Sequence, residues 1–574
     1  MSVTDSLTSS PPIRVGDDRR HDLDALRAFA MLLGIGLHAS LAYFKAPWAV
    51  QDSQQNELLG IFFVLVHGFR MPLFFIVSGY FTMMMFRKRG LAAVVKQRAA
   101  RILLPCALGL LTIIPLTKFV WRQAVLAGQA SSTSAAVETL TGAIRARQPS
   151  EIERWISDPA QINAPDSELG ITPLNWAVLQ GDRDLVVRLI ENGADVNRGN
   201  RDGNRPLHGA AFLGRDDIAA VLLDHGADPK ARNQRGELPH KATDADWKTT
   251  EFIVKILGLP QPDKDLLEAD RAKVRARLLG VADELAVAKG PGQHASTADG
   301  RTTSVSWRET YQTWLTSEQF EVSLAGASWQ LFMTDVFTHL WFLWFLCWMI
   351  AGFAACAGVL QSSWFTRHAW GISLCLIPLT WLPQCVMGTG PIHFGPDTST
   401  GILPQPHLLF YYALFFSFGV LQFDVTRHRA PVGRFWWLHL FVALCLAFPV
   451  WIFRMNQPLV ADVCQVIYVW EMSFGLMGLF RWLLPRERAW IRYLSDSSYW
   501  LYLAHQPLVL ALQMWTRDVP VNAFLKFAAV NLVAVIVLLL SYQFCVRSTW
   551  IGALLNGKRI SRPVPRLDPA PVGG

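Results

Sequence analysis

The sequence predicts an all-α membrane protein of about ten transmembrane helices, interrupted by one soluble helical insert. Hydrophobic residues make up 51% of the 574-residue chain and charged residues only 17%, which is more apolar surface than a soluble protein of this length can bury. Apolar stretches of about 19 residues, long enough to cross a bilayer, recur in both parts of the chain. The polar stretch between the third and the fourth of them carries an internal repeat.

Ten segments qualify as candidate spans by their length and hydropathy. They lie near 26–44, 60–86, 102–121, 338–359, 369–387, 405–422, 435–453, 458–480, 493–514 and 522–545. They divide the chain into an N-terminal tail (1–22), a first membrane part of three spans (23–123), a soluble insert (124–330), a second membrane part of seven spans (331–546) and a C-terminal tail (547–574). The N-terminal tail shows no cleavable signal pattern, so the first span is expected to direct insertion.

The loops between spans differ in their content of Lys and Arg, and this difference predicts the orientation. Basic clusters follow the second, sixth, eighth and tenth spans: RKR (87–89), TRHRAPVGR (426–434), RWLLPRERAWIR (481–492) and KRISRPVPR (558–566). The loop GTGPIHFGPDTSTGILPQP on the other side has neither residue. Because cytoplasmic loops carry the excess of basic residues, both termini are predicted to be cytoplasmic. Three crossings then leave the insert on the far side, and the net charge of +8 does not indicate a nucleic-acid partner.

The insert contains a repeat with a period of 33 residues. Gly170, Gly203 and Gly236 recur at this spacing, in GITPLNWAVLQGDRDLVVRLIENGADVNRGNRD and GNRPLHGAAFLGRDDIAAVLLDHGADPKARNQR. The period and the TPL and NGAD signatures resemble ankyrin repeats, at about 140–250. A charged segment from Asp263 to Lys289 is expected to form a solvated helix that leads into a linker.

Arg27 and His38 lie in the first span, and their spacing suggests a shared function. Eleven helical steps of about 100° return to within about 20° of the same face, about 16 Å along the axis. Arg27 alone is equally well explained as a side chain that snorkels to the membrane boundary. An ionisable side chain such as His38 inside a span usually faces a cavity or a partner. Neutral imidazole is also suited to accept a proton from a hydroxyl.

The membrane part resembles the acyltransferase 3 family, in particular its glucan-succinylating branch. The matching segments are RRHDLDALRAFAMLLGIGLHAS (19–40), RMPLFFIVSGYF (70–81), RAARILLP (98–105), THLWFLWFLC (338–347), YYALFFSFGVL (411–421) and SDSSYWLYLAHQPL (495–508). The resemblance implies an enzyme of the bacterial inner membrane that moves an acyl group, acetyl or succinyl, from acyl-CoA onto a hydroxyl of an envelope carbohydrate such as a periplasmic glucan. In such a membrane the far side reached after three crossings is the periplasm, so the span count predicts a periplasmic insert. The insert itself departs from the usual family plan.

Within this reading the candidate residues take separate roles. Arg98 and Arg101 are expected to bind the phosphates of acyl-CoA, because guanidinium groups make bidentate contacts with phosphate, although both could be ordinary charges of a cytoplasmic loop. His67 and Arg70 lie on one face of the second span, and Arg70 is expected to hold the thioester oxygen or a substrate carboxylate. Further candidates for a polar tunnel are His339, Glu471, Tyr502 and His505.

Acyl-CoA is expected as donor substrate, with no permanently bound cofactor and no metal. The eight cysteines lie in apolar segments without metal-ligand spacing, and none stands in a nucleophile-elbow context. Direct transfer is therefore expected, with a covalent acyl-histidine as the alternative. The expected partners are acyl-CoA, the carbohydrate acceptor, the lipid bilayer and a protein or glycan bound by the repeats. The alternative function is a membrane transporter or receptor in which buried His and Arg form a proton relay.

Overall fold

A computed structural model of the chain describes residues 20–46, 48–136, 139–166, 169–234, 236–287, 307–324, 327–387, 394–455 and 457–556. Most of the two predicted tails and the linker before residue 307 lie outside the described residues. The chain divides into two compact units. The first comprises Met1–Leu126 and Thr303–Gly574, and the second comprises Ala127–Thr302.

The described secondary structure is almost entirely helical. The chain begins with α1 (His21–Ser40), α2 (Glu57–Arg98), a π-helical turn (Ala99–Leu103), α3 (Leu104–Leu111) and α4 (Ile113–Ala136). It continues with α5 (Leu140–Arg145), α6 (Pro149–Trp155), α7 (Pro173–Gln180), α8 (Arg183–Glu191), α9 (Pro206–Phe212), α10 (Asp216–Asp224), a 3-10 turn (Pro239–Asp244), α11 (Trp247–Ile256) and α12 (Lys264–Val287).

The part after the insert begins with α13 (Trp307–Leu315) and a short hairpin of β1 (Glu321–Leu324) and β2 (Ala327–Gln330). Then come a 3-10 turn (Thr338–Leu340), α14 (Trp341–Ala355), α15 (Ala357–Gln361), α16 (Ser363–Leu379), α17 (Trp381–Gln384), α18 (Pro406–Val425) and α19 (Trp436–Phe441). The last elements are a π-helical turn (Val442–Ala447), α20 (Phe448–Arg454), α21 (Pro458–Leu483), α22 (Ala489–Thr516), α23 (Ala523–Ser541), a π-helical turn (Tyr542–Val546) and α24 (Trp550–Asn556).

Helices occupy all ten predicted spans, but the count of ten is not confirmed. Among the described residues, seven helical segments are long and apolar enough to cross a membrane. The predicted second and third spans merge into one helical segment, Glu57–Leu111. Helix α16 has only 17 residues, and α22, with 28 residues, carries polar side chains along much of its length. Sequence windows count apolar residues, whereas these three cases depend on where a helix ends and on which polar groups it carries.

Two local features shape the end of α2, where Arg98 and Arg101 lie. Gly90 has φ +76° and ψ 175°, so it interrupts the helical backbone inside α2. Residues other than glycine rarely adopt this backbone conformation. The following π-helical turn, Ala99–Leu103, includes Arg101. Both features re-aim the basic segment relative to the buried part of α2, and neither follows from hydrophobic periodicity.

Helices α2 and α18 form a close pair in the interior of the membrane unit. A Cβ atom at Gly79 would lie 2.0 Å from the carbonyl oxygen of Phe416, and one at Gly419 would lie 1.9 Å from that of Ile76. The two glycines therefore let the backbones touch, as small residues do between membrane helices. This contact leaves α2 with one face against α18.

The second unit shows the helix pairs that the repeat predicts. Helices α7 and α9 both begin with proline, at Pro173 and Pro206, and Thr172 caps α7 by accepting a hydrogen bond from the Asn175 amide. Gly193 and Gly226, which follow α8 and α10, have φ values of +92° and +85°, as expected for left-handed helix ends.

Helix α12 differs from the solvated helix expected from its charges. Val274 and Leu278 on one of its faces are buried in the core of this unit. Arg271 is also buried, which lowers its pKa, and its guanidinium donates to the carbonyl oxygens of Phe212 and Ala245 at 2.6–2.8 Å. Because helix α12 carries many exposed charges, its sequence did not indicate this buried face.

Candidate functional site

Helix α1 carries Arg27 and His38 on one uninterrupted α-helix. The Nη2 of Arg27 donates to the hydroxyl oxygen of Ser495 at 2.8 Å and to its carbonyl oxygen at 3.2 Å. Asp24, one turn earlier, lies 3.6 Å from the same nitrogen. Arg27 is therefore held between α1 and α22. His38 lies about 16 Å further along the helix, so the two residues belong to different ends of one site.

Three of the predicted histidines meet at the far end of α1. The ring of His505, on α22, lies 5.1 Å between centroids from that of His38 and 5.5 Å from that of His339. We call these three residues the histidine cluster. Each ring has one buried nitrogen without a hydrogen-bond partner: Nδ1 of His38, Nδ1 of His339 and Nε2 of His505. Within the described part of the chain, no group of His, Cys, Asp or Glu is arranged to hold a metal ion.

Backbone carbonyls fix the tautomers of two rings in the histidine cluster. Nδ1 of His505 lies 2.8 Å from the carbonyl oxygen of Tyr502, and Nε2 of His339 lies 3.0 Å from that of Leu503. Because a carbonyl only accepts hydrogen bonds, each of these nitrogens carries the proton of the neutral ring. The other nitrogen of each ring is then an acceptor, and it is buried without a hydrogen-bond partner. This arrangement can take a proton from a hydroxyl group.

His67 and Arg70 approach the histidine cluster from α2. Nδ1 of His67 lies 3.0 Å from the carbonyl oxygen of Phe394. The guanidinium of Arg70 lies against α1 at Gly34, where an added Cβ would be 2.1 Å from its Nη1. Its buried Nε has no hydrogen-bond partner in the protein. Both residues lie within electrostatic range of His38, so Arg70 places a positive charge beside the cluster.

A cavity of about 460 Å³ starts at the other end of α1, and we call it the arginine cavity. Arg27, Arg98 and Arg101 line it, together with Asp24 and Asp496. Much of its lining is apolar and includes the side chains of Met31, Phe74, Val77, Phe81, Ile102, Phe342 and Leu346. Four polar atoms of its lining are buried without a partner: Arg27 Nε, Gln97 Oε1, Arg98 Nε and the Tyr499 hydroxyl. Such atoms suit a bound ligand with polar groups.

Tyr502 connects the arginine cavity to the histidine cluster. Its side chain lines the cavity, and its hydroxyl donates to the carbonyl oxygen of His339 at 2.6 Å. Its ring lies 6.3 Å from that of His505. Nine of the ten predicted residues thus line the arginine cavity, belong to the histidine cluster or lie within electrostatic range of His38. Which of them act in the reaction stays a prediction.

Glu471 is the exception among the predicted tunnel residues. Its carboxylate lies 2.6 Å from Nδ1 of His439 on α19, and neither residue lines the arginine cavity. A carboxylate in a membrane span needs a partner, and here the neighbouring helix supplies it. The sequence located Glu471 in a span but did not indicate this partner.

The structure adds residues that the sequence reading did not select. Thr82 accepts a hydrogen bond from Nη2 of Arg98 at 3.0 Å. Gln513 donates to the carbonyl oxygens of His38 and Ala39, and its own side-chain oxygen accepts from Trp48. Trp48 also packs against the ring of His38, with 5.9 Å between centroids. A Gln in mid-span was the available signal for Gln513, whereas Trp48 and Thr82 are ordinary residues at their positions.

Comparisons with known proteins agree with this architecture. The model of an acyltransferase domain, that of the acyltransferase 3 family, matches residues 20–149 and 300–543, and ankyrin repeats match residues 140–233 in three copies. The glucans biosynthesis protein C of Escherichia coli strain K12 / DH10B is 41% identical over 98 residues, and that of Escherichia coli O1:K1 / APEC is equally similar. Each alignment covers 17% of this chain and 24% of the relative. The chain belongs to the acyltransferase 3 family of membrane acyltransferases and carries inserted ankyrin repeats.

Proposed function

We propose that this membrane acyltransferase moves an acetyl or succinyl group from acyl-CoA onto a hydroxyl of an envelope carbohydrate such as a periplasmic glucan. One observation carries the proposal: Tyr502 lines the arginine cavity and also contacts His339 and His505, whose rings carry unpartnered buried nitrogens. The name of the Escherichia coli relatives supports a glucan as the acceptor.

Acyl-CoA fits the arginine cavity by its chemistry. Its phosphates suit Arg98 and Arg101, since guanidinium groups bind phosphate with two parallel hydrogen bonds. The pantetheine arm is long and thin and would run along the apolar side chains of the cavity. A volume of about 460 Å³ accommodates that arm, and the nucleotide would stay outside. The thioester would then lie near Tyr502.

The histidine cluster would supply the base for the transfer. An unprotonated ring nitrogen, of His38 or His505, takes the proton of the acceptor hydroxyl, and the oxygen attacks the thioester carbonyl. The positive charge of Arg70 stabilises the oxygen that becomes negative during attack. The C–S bond breaks, and the proton passes to the CoA thiolate. No acyl-enzyme is required in this sequence.

The topology is part of the proposal. Acyl-CoA is a cytoplasmic substrate, whereas an envelope glucan lies outside, so the two substrates would reach the site from opposite sides of the inner membrane. Both termini are then cytoplasmic and the ankyrin repeats periplasmic, where they would hold the acceptor glucan or a protein partner.

Transfer by the purified full-length protein in sealed vesicles tests the proposal. With labelled acetyl-CoA or succinyl-CoA on the side of the termini and glucan on the other, we expect label in the glucan. His505→Gln should lower the rate strongly, whereas His368→Gln, an exposed histidine of α16, should keep it. Proton flux without any acyl transfer would contradict the proposal and favour the transporter reading.

A further inference from the structure

An open apolar groove of about 800 Å³ runs between α14, α15, α16 and α18. Its walls include the side chains of Trp348, Phe353, Val359, Phe365 and Phe416. Trp348 and Val359 are 40% and 60% exposed, so the groove faces the surroundings of the membrane unit. Its size and its apolar walls suit hydrocarbon chains.

A basic pocket of about 610 Å³ lies at one end of the same helices. Four arginines line it, Arg87, Arg367, Arg427 and Arg429, and Asp424 is its one carboxylate among the described residues. The formal excess of three positive charges is larger than in the arginine cavity, where three arginines face two aspartates. The two linings share no residue.

The groove and the basic pocket are adjacent. Leu360 lines the groove, and its carbonyl oxygen accepts a hydrogen bond from Nη2 of Arg87 at 3.0 Å. On α16, Phe365 lines the groove and Arg367 lines the pocket, two residues further along the chain. One molecule could therefore occupy both spaces.

Three of the four arginines are available to an anion. Arg87 is paired with Asp424 at 2.6 Å. In the described part of the chain, no carboxylate forms an ion pair with Arg367, Arg427 or Arg429. Cζ of Arg427 lies over the ring of Phe423 and Cζ of Arg429 over that of Trp370, at 4.6 and 5.1 Å from the centroids. A contact with an aromatic ring does not neutralise the guanidinium charge, so both arginines can still attract an anion.

We propose that this composite site binds one anionic diacyl phospholipid, with its acyl chains in the groove and its phosphate at Arg367, Arg427 and Arg429. Basic pockets between membrane helices on the cytoplasmic side are suited to such head groups. Arginines that only determine the orientation of the protein in the membrane would not need an apolar groove beside them. A soluble phosphate would use the pocket and leave the groove unused, and a zwitterionic head group would bring its ammonium group close to three positive charges.

Lipid titration of the full-length protein in neutral detergent, followed by native mass spectrometry, tests this site. Phosphatidylglycerol should bind about tenfold more tightly than phosphatidylethanolamine with the same acyl chains. Arg427→Ala with Arg429→Ala should remove about tenfold of the phosphatidylglycerol affinity. Gly352→Leu should weaken both lipids, because Gly352 lines the groove and an added Cβ meets no atom within 4 Å.

Matched variants separate the site from general effects. Arg547→Ala removes an arginine that also lies over an aromatic ring, that of Tyr493 at 5.5 Å, but outside the basic pocket. Gly371→Leu adds the same side chain at another open helical glycine that does not line the groove. Both should bind lipid as the unchanged protein does. If the double arginine variant does not fold, by its thermal unfolding, Arg367→Ala takes its place.

Several outcomes would overturn the proposal. Equal affinity for the two lipids would remove the role of the arginines. Unchanged binding by Gly352→Leu would show that the chains lie elsewhere. Displacement of phosphatidylglycerol by inorganic phosphate at a similar concentration would identify a site for soluble anions. Acyl transfer does not enter this experiment, so its result is independent of the proposed function.

Discussion

A single methyl group at Gly34 should disable the enzyme without unfolding it. A Cβ at this position would lie 2.1 Å from Nη1 and 3.2 Å from Cζ of Arg70. Non-bonded heavy atoms need about 3.5 Å, so in Gly34→Ala the nearest guanidinium nitrogen must retreat by about 1.4 Å. Arg70 is the group proposed to stabilise the thioester oxygen, and a displacement of about 1 Å in an active site can lower the rate by about 10²-fold.

The same substitution should leave the stability of the protein unchanged or higher. Alanine is favoured over glycine inside a helix by roughly 0.5–1 kcal/mol. The atoms that clash belong to the far end of a long side chain and not to the backbone of a neighbouring helix. Helix α1 therefore keeps its place, and Arg70 moves.

The assay is acyl transfer from acyl-CoA to glucan in vesicles, with thermal unfolding as the parallel measurement. Gly36→Ala is the matched control on the same helix, because its nearest neighbour, Cζ of Phe62, would be 3.3 Å away. We expect near-normal activity from this control. If Gly34→Ala works as fast as the unchanged protein, or if both variants lose activity equally, the placement of Arg70 against α1 has no part in the reaction.

Two further predictions concern the same site, and a third concerns the side of the membrane on which the repeats lie. His38→Ala should lower transfer by about 10²–10⁴-fold with normal insertion and abundance, whereas His368→Ala should not; a fully active His38→Ala enzyme would make His38 structural. Arg98→Ala and Arg101→Ala should each weaken acyl-CoA binding by about tenfold, the double variant more, with only partial rescue by Lys. Unchanged affinity of the double variant for acyl-CoA would mean that these arginines only set the orientation of the protein in the membrane. A cysteine introduced at Asn200 should react with a membrane-impermeant maleimide on spheroplasts, and labelling only after lysis would place the repeats in the cytoplasm.

Local sequence patterns were enough to find most of the candidate site. Arg27 and His38 stand out because polar side chains in an apolar helix are costly, and a period of 3.6 residues places them on one face. Arg98 and Arg101 stand out for another reason: they form a basic pair before an apolar span, in the segment RAARILLP that resembles the family. The 33-residue period likewise located the repeats, since each repeat folds by contacts with its neighbours.

The remaining features depend on contacts that no local pattern contains. The approach of His505 to His38 joins residues that are far apart in the chain. The pairing of Glu471 with His439 and the position of Arg70 against Gly34 depend on which helices are neighbours. Helix neighbours in a membrane are selected by shape and by small residues, so hydropathy does not indicate them.

The contact between His38 and His505 can form only late in the synthesis of the chain. At about 5–20 residues per second, a ribosome needs roughly 20–90 s to travel from the first histidine to the second, because the whole insert lies between them. During that interval the first helices, which carry Arg27, His38 and Arg70, are already in the membrane. Helix α22 has not yet been synthesised. Each new molecule therefore passes through a stage in which these polar side chains depend on water, lipid head groups or the insertion machinery for their contacts.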